Sequence, residues 1–125
     1  MVEQWEAQWE AQMGAVPPFI RELHAMSSAA EAAFRSSRAD VFAEHAEGLT
    51  RAEKELVLLV MNVTLANTEG AMNHLRLARR AGLSIQAVRE VLAECMLYLG
   101  VISHVRVGQV LWRACLEELD EGRSS

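Results

Sequence analysis

Residues 49–82 read LTRAEKELVLLVMNVTLANTEGAMNHLRLARRAG, and this stretch decides the fold. Thr50-Arg51-Ala52-Glu53 has the form of a capping box, in which a hydroxyl and a carboxylate satisfy the orphan amides at a helix start. The helix it opens is the most hydrophobic of the chain and runs to about Leu65. Asn67 or Thr68 caps the next helix. Arg79 and Arg80 fall in its last turn and Gly82 lies just past it, which suits both the helix dipole and a left-handed C-cap.

The same punctuation continues outward. Leu83-Ser84 leads into a helix from about Ile85 to Leu99, with Val88, Val91 or Leu92, and Cys95 on one stripe, and Gly100 ends it. A last helix over about 102–119 carries Val107, Leu111, Cys115 and Leu119, and the polar tail Glu121 to Ser125 is expected to fray. Toward the N-terminus, a helix over 3–13 aligns Trp5, Trp9 and Met13 and closes at Gly14. Pro17 and Pro18 start a second helix expected to reach Arg35, with a bend at Ser27 and Ser28. A short helix from Asp40 to His45 ends at Gly48. The reading is an all-α fold of six to seven helices without strands, in one domain over 1–125. Residues 1–48 supply N-terminal helices and 49–119 the core. Short helices leave apolar stripes uncovered, Trp5 and Trp9 among them, so a homo-oligomer is expected.

Composition narrows the function. The 125 residues are 51% hydrophobic and carry 17 acidic against 12 basic side chains, a net charge of −5, which disfavours a general nucleic-acid binder. The longest stretch without Asp, Glu, Lys or Arg, Leu56 to Thr68, is thirteen residues, short of the roughly 18 a bilayer span needs. With no basic residue before Arg21 there is no visible secretory or transit signal, so no membrane partner and a cytoplasmic location are expected. Cys95 and Cys115 have neither the spacing of a redox pair nor that of a disulfide framework. His24 and His45 lack ligand spacing, so no metal is expected.

The chemistry-bearing pattern is Glu55, eleven residues, Asn67, two residues, Gly70, three residues, His74. Positions 67, 70 and 74 share one helical face. Ala71, Ala78 and Ala81 flank it, and Gly70 leaves room, so a small cavity beside the His74 imidazole is expected. On strictly antiparallel axes, Glu55 lies about 18 Å from the turn and His74 about 10 Å, at 1.5 Å per residue. Asn62 and Leu59 then bracket His74 better than Glu55 does. A contact between Glu55 and His74 requires a bent crossing, a bridging water or another chain. Glu69, five residues before His74, points away from it on the same helix.

This pattern resembles the carboxymuconolactone decarboxylase and alkyl hydroperoxidase D-like family over about Leu49 to Leu119. The likeness includes the Ala-Gly-Leu-Ser turn at 81–84, Tyr-Leu-Gly-Val at 98–101, and the approach Val16-Pro-Pro-Phe19. Redox members carry Glu, eleven residues, Cys-x-x-Cys, three residues and His. Here the cysteine positions hold Asn67 and Gly70, so dithiol chemistry is lost unless Cys95 or Cys115 substitutes. The resemblance implies a helical oligomer, trimeric or hexameric. It also implies a decarboxylase-like lyase that releases carbon dioxide from a small carboxylated or lactone-type substrate without a cofactor. In that reading His74 donates the proton, Glu55 or Glu69 sets its charge state, and Glu69, Asn67, Asn62, Tyr98, His104 and Arg106 bind substrate. Two other readings stand beside it: a non-catalytic ligand-binding or scaffolding oligomer with a decayed site, and a redox enzyme using Cys95 or Cys115. Each residue also has an ordinary role. Asn67 and Glu69 suit a helix start, Glu55 favours the dipole of its helix, and Arg76, Arg79 and Arg80 form a solvated edge.

Overall fold

The computed structural model describes residues 1–124, and among them every regular element is helical. The chain forms two compact units, Met1–His45 and a second that begins at Ala46.

In the first unit, α1 spans Gln4–Met13 and stops where Gly14 enters the left-handed region at φ 82°. Pro18 fixes the first turn of α2, Pro18–Met26, and α3 covers Ser28–Phe42. The continuous helix expected from Pro18 to Arg35 is therefore two helices, and Asp40–His45 is no helix of its own, because α3 runs on through it to Phe42. The cause lies at Ser27. Its backbone is extended (φ −158°, ψ 104°), and its side-chain oxygen accepts from the Ala30 amide at 3.1 Å, so the pair of serines starts a helix instead of bending one.

The Trp5/Trp9 stripe is also not the exposed surface it was expected to be. Trp9 is fully buried and its indole N–H donates to Glu31 at 2.8 Å, while Trp5 stacks on the His24 ring at 3.9 Å between centroids. Glu31, itself fully buried, also meets Arg35 Nε at 2.8 Å and His24 Nδ1 at 3.1 Å. These donors are what make a buried carboxylate tolerable.

In the second unit, the Thr50 capping box forms as expected and opens α4, Arg51–Thr64. Ala66 turns at φ 56° and Asn67 caps α5, Thr68–Arg80. Ser84 caps α6, Ile85–Leu99. Gly100 then takes φ 96°, ψ 169°, a region open essentially only to glycine. Helix α7 begins at once and runs through three stretches: Val101–Ser103, a π-helical His104–Gly108, and Gln109–Ser124. It is longer than expected, since Glu121 to Ser124 are helical; Ser125 lies outside the described residues.

Side chains three or four residues apart on each helix build one core, with Leu59 and Val63 from α4, Ala71 and Leu75 from α5, Val88 and Leu92 from α6, and Val107, Leu111 and Cys115 from α7. Packing is densest between α4 and α5, the pair that carries Glu55 and His74. No helix among the described residues is long and apolar enough to cross a membrane.

Candidate active site

Glu55 stands one helical turn before Leu59 and two before Val63, on the stripe of α4 that faces the core, and its side chain is fully buried. A carboxylate at such a position is costly without donors. The structure supplies them from two directions. His74 Nδ1 lies 2.8 Å from Glu55 Oε2, and Arg51 Nε, one turn earlier on α4, lies 3.3 Å from Oε1.

The contact between Glu55 and His74 is thus direct and within one chain. Strictly antiparallel axes would need a bent crossing, a water or a second copy to join the two side chains; in the fold they meet at 2.8 Å without any water or second copy. Nor is Glu55 merely a first-turn acid serving the dipole; it is the buried end of a hydrogen bond between helices.

The His74 ring is 13% exposed. With Nδ1 turned to the Glu55 carboxylate, Nε2 is the ring nitrogen that this contact does not use. Arg51 is a residue that the sequence reading missed. Its spacing of four before Glu55 on one helix was the available signal.

The space expected beside Gly70 is filled. Asn67 Nδ2 donates to Asn62 Oδ1 at 2.9 Å, Asn62 Nδ2 donates to the Leu58 carbonyl at 2.8 Å, and the Gly70 amide donates to Asn67 Oδ1 at 3.2 Å. A Cβ at position 70 would run into Asn62 Oδ1 and come within 2.7 Å of Asn67 Nδ2. Gly70 is there to let two amides lock the hairpin, and the missing Cβ leaves no cavity.

The remaining residues named from sequence are spread over the unit. Glu69 is exposed in the first turn of α5, and Tyr98 is exposed on α6. Arg106 is exposed on the π-helical stretch of α7. His104, on the same stretch, is half-buried, and its Nδ1 is enclosed without a hydrogen-bond partner against Gly108, where a Cβ would sit 2.8 Å away. What the structure brings together is Glu55, His74 and Arg51.

The two thiols are ill suited to redox work. Burial, reinforced by Glu94, pushes the Cys95 thiol up, and burial with Glu118 does the same to Cys115 against the opposing pull of Arg79. Both therefore hold their protons more tightly than a free cysteine, opposite to what an attacking thiolate needs. On the expected basic edge, Arg79 is paired with Glu118 and also reaches the Leu83 carbonyl. Among the described residues no group of three or more His, Cys, Asp or Glu is placed to hold a metal.

An all-α fold whose tightest helix pair joins a buried glutamate to a histidine defines a class of small helical proteins with a glutamate–histidine contact on a helix hairpin. Residues 28–107 match the carboxymuconolactone decarboxylase family, and the chain belongs to it. The match begins within α3, upstream of Leu49, and ends in the π-helical stretch of α7. The fold is also similar to the crystal structure of a protein from Burkholderia xenovorans LB400 provisionally named a carboxymuconolactone decarboxylase. That comparison has a TM-score of 0.82 and 24% identity, over 97% of this chain and 92% of the other. No curated protein matches the chain.

Proposed function

We propose that this protein is a cofactor-free lyase that decarboxylates a small carboxylated, lactone-type substrate, with His74 as the proton donor and Glu55 as the group that orients and steadies it. The observation that carries this reading is the 2.8 Å contact between His74 Nδ1 and a fully buried Glu55. In decarboxylation the carbon–carboxylate bond breaks, carbon dioxide leaves, and the electron pair stays on the substrate as a carbanion or enolate. That carbon then takes a proton from His74 Nε2, and solvent restores it. Glu55 holds Nδ1–H throughout, which fixes the orientation of the ring and leaves Nε2 to face the substrate.

The test is release of carbon dioxide from carboxylated γ-lactones. The wild-type protein is expected to turn over at least one of them. His74→Ala is expected to lose at least about 100-fold in kcat with its helical circular dichroism intact, the size typical of a general acid. Full activity of His74→Ala, or no release from any such lactone by the wild type, would reject the proposal.

The amide lock of Asn62, Asn67 and Gly70 favours a second reading, a ligand-binding or scaffolding protein in which the position of the family's thiols has become purely structural. Binding of the lactones without turnover would select it.

A further inference from the structure

Arginine is an odd residue for position 51. It is the first residue of α4, where the helix dipole disfavours a cation. It also stands four residues before Glu55, whereas an ion pair along one helix is stronger with the acid first. Glu31 and Arg35, in the first unit, keep the favourable order. Helix stability therefore gives no reason for Arg51, but what its guanidinium touches does. Nε lies 3.3 Å from Oε1 of the fully buried Glu55, and the other oxygen, Oε2, lies 2.8 Å from His74 Nδ1. One carboxylate thus meets the arginine on one oxygen and the histidine on the other.

The last torsion of a glutamate and the second torsion of a histidine are both broad. A carboxylate held at Oε2 alone can swing, and the imidazole swings with it. A donor on Oε1 fixes the plane of the carboxylate and with it the direction from which Nδ1 is held. The arginine in turn stands on a stiff base. Thr50 Oγ1 accepts from the Glu53 amide at 3.2 Å and Glu53 Oε1 accepts from the Thr50 amide at 2.9 Å, so the backbone on either side of Arg51 is pinned.

We propose that Arg51 is a positioning residue for the proton donor: through Glu55 it holds the His74 ring in the orientation that leaves Nε2 to the substrate. Its effect on turnover rests on the catalytic reading above, and its effect on the order of the ring rests on the geometry alone.

Two variants test it. Arg51→Met keeps an unbranched side chain of similar helix propensity and removes every donor, while Arg51→Lys puts a charged donor one bond beyond the place of Nε. On a lactone that the wild type decarboxylates, Arg51→Met is expected to lose about tenfold in kcat with KM unchanged, the size typical of removing a group that orients a reacting residue from behind. Arg51→Lys is expected to recover most of that loss. The second readout needs no substrate. In protein carrying 13C in its histidine side chains, relaxation is expected to give the His74 Cδ2–H bond an order parameter in the rigid range in the wild type and Arg51→Lys, and below about 0.6 in Arg51→Met. Circular dichroism selects a temperature at which all three are folded.

A residue that merely offsets the burial of Glu55 would lower the urea midpoint of Arg51→Met and leave both readouts unchanged, and that outcome overturns the inference. A wild type that decarboxylates no lactone rejects the catalytic reading instead. Ring order then decides, and a His74 ring as rigid in Arg51→Met as in the wild type overturns the positioning role. Should Arg51→Met fail to fold, Arg51→Gln takes its place, with a neutral and weaker donor at the same distance along the side chain. It is expected to lose about threefold in kcat together with part of the ring order, and no change in either overturns the inference.

Discussion

At the scale of single residues, the hairpin between α4 and α5 turns on the missing Cβ of Gly70. A methyl group there meets both carboxamides that link Asn62 and Asn67. Helix propensity alone favours Gly70→Ala by about 1 kcal/mol. The crowding is rigid, because both amides are already tied to backbone groups, and overpacking of that kind costs about 1–3 kcal/mol. Gly70→Ala is therefore expected to be destabilising in urea unfolding. Adding Asn62→Ala is expected to recover part of the loss in a double-mutant cycle, since it removes the atom that the new methyl strikes. A stabilised Gly70→Ala would show that the hairpin does not depend on the close approach.

Between elements, the counterpart in the first unit is Glu31, which ties α1, α2 and α3 through Trp9, His24 and Arg35. Burial pushes its carboxyl up, but hydrogen bonds from Arg35, Trp9 and His24 outweigh it, and the net effect holds the group below its ordinary value of 4.5. A carboxyl depressed by folding stabilises the protein fully above its unfolded pKa and loses that contribution as pH falls through the folded one. At pH 7 Glu31→Gln is expected to cost about 3 kcal/mol, because Arg35 loses a buried counter-charge. The gap in melting temperature between wild type and variant is expected to narrow as the pH is lowered beneath 4.5. A gap that stays constant from pH 7 to pH 3 would show that the ionised carboxylate is not what holds these helices.

At the scale of the whole molecule, the apolar side chains that α4, α6 and α7 leave exposed bear on how stability depends on concentration. The oligomer that the family resemblance implies would draw off only the folded state by mass action. The wild-type melting temperature is then expected to rise by about 3 °C for each tenfold increase in protein concentration, given the unfolding entropy of a chain this long. A Leu97→Asp/Ile102→Glu variant, which charges two of those exposed positions, is expected to show no such dependence. Differential scanning fluorimetry over two decades of concentration measures both.

The all-α class and most helix starts and stops are legible in the residues alone. Caps are local chemistry: Thr50 with Glu53, Asn67, Ser84 and Gly14 each act on amides or carbonyls a few residues away. Where two local signals competed, at Ser27 and Ser28, a cap was mistaken for a bend. The π-helical turn at His104–Gly108 went unseen because an extra residue in a helical ladder has no signature of composition. Glu55 and His74 were legible as candidates through their spacing and the family it resembles, but their contact was not, since side chains nineteen residues apart meet only once the angle between two helices is set. The two helices pack through Leu59, Val63, Ala71 and Leu75, and the amides close over Gly70, contacts that exist only in the folded chain. Tertiary structure also decided which apolar stripe faces solvent, because burial is a property of what a helix packs against and periodicity shows only that a stripe exists.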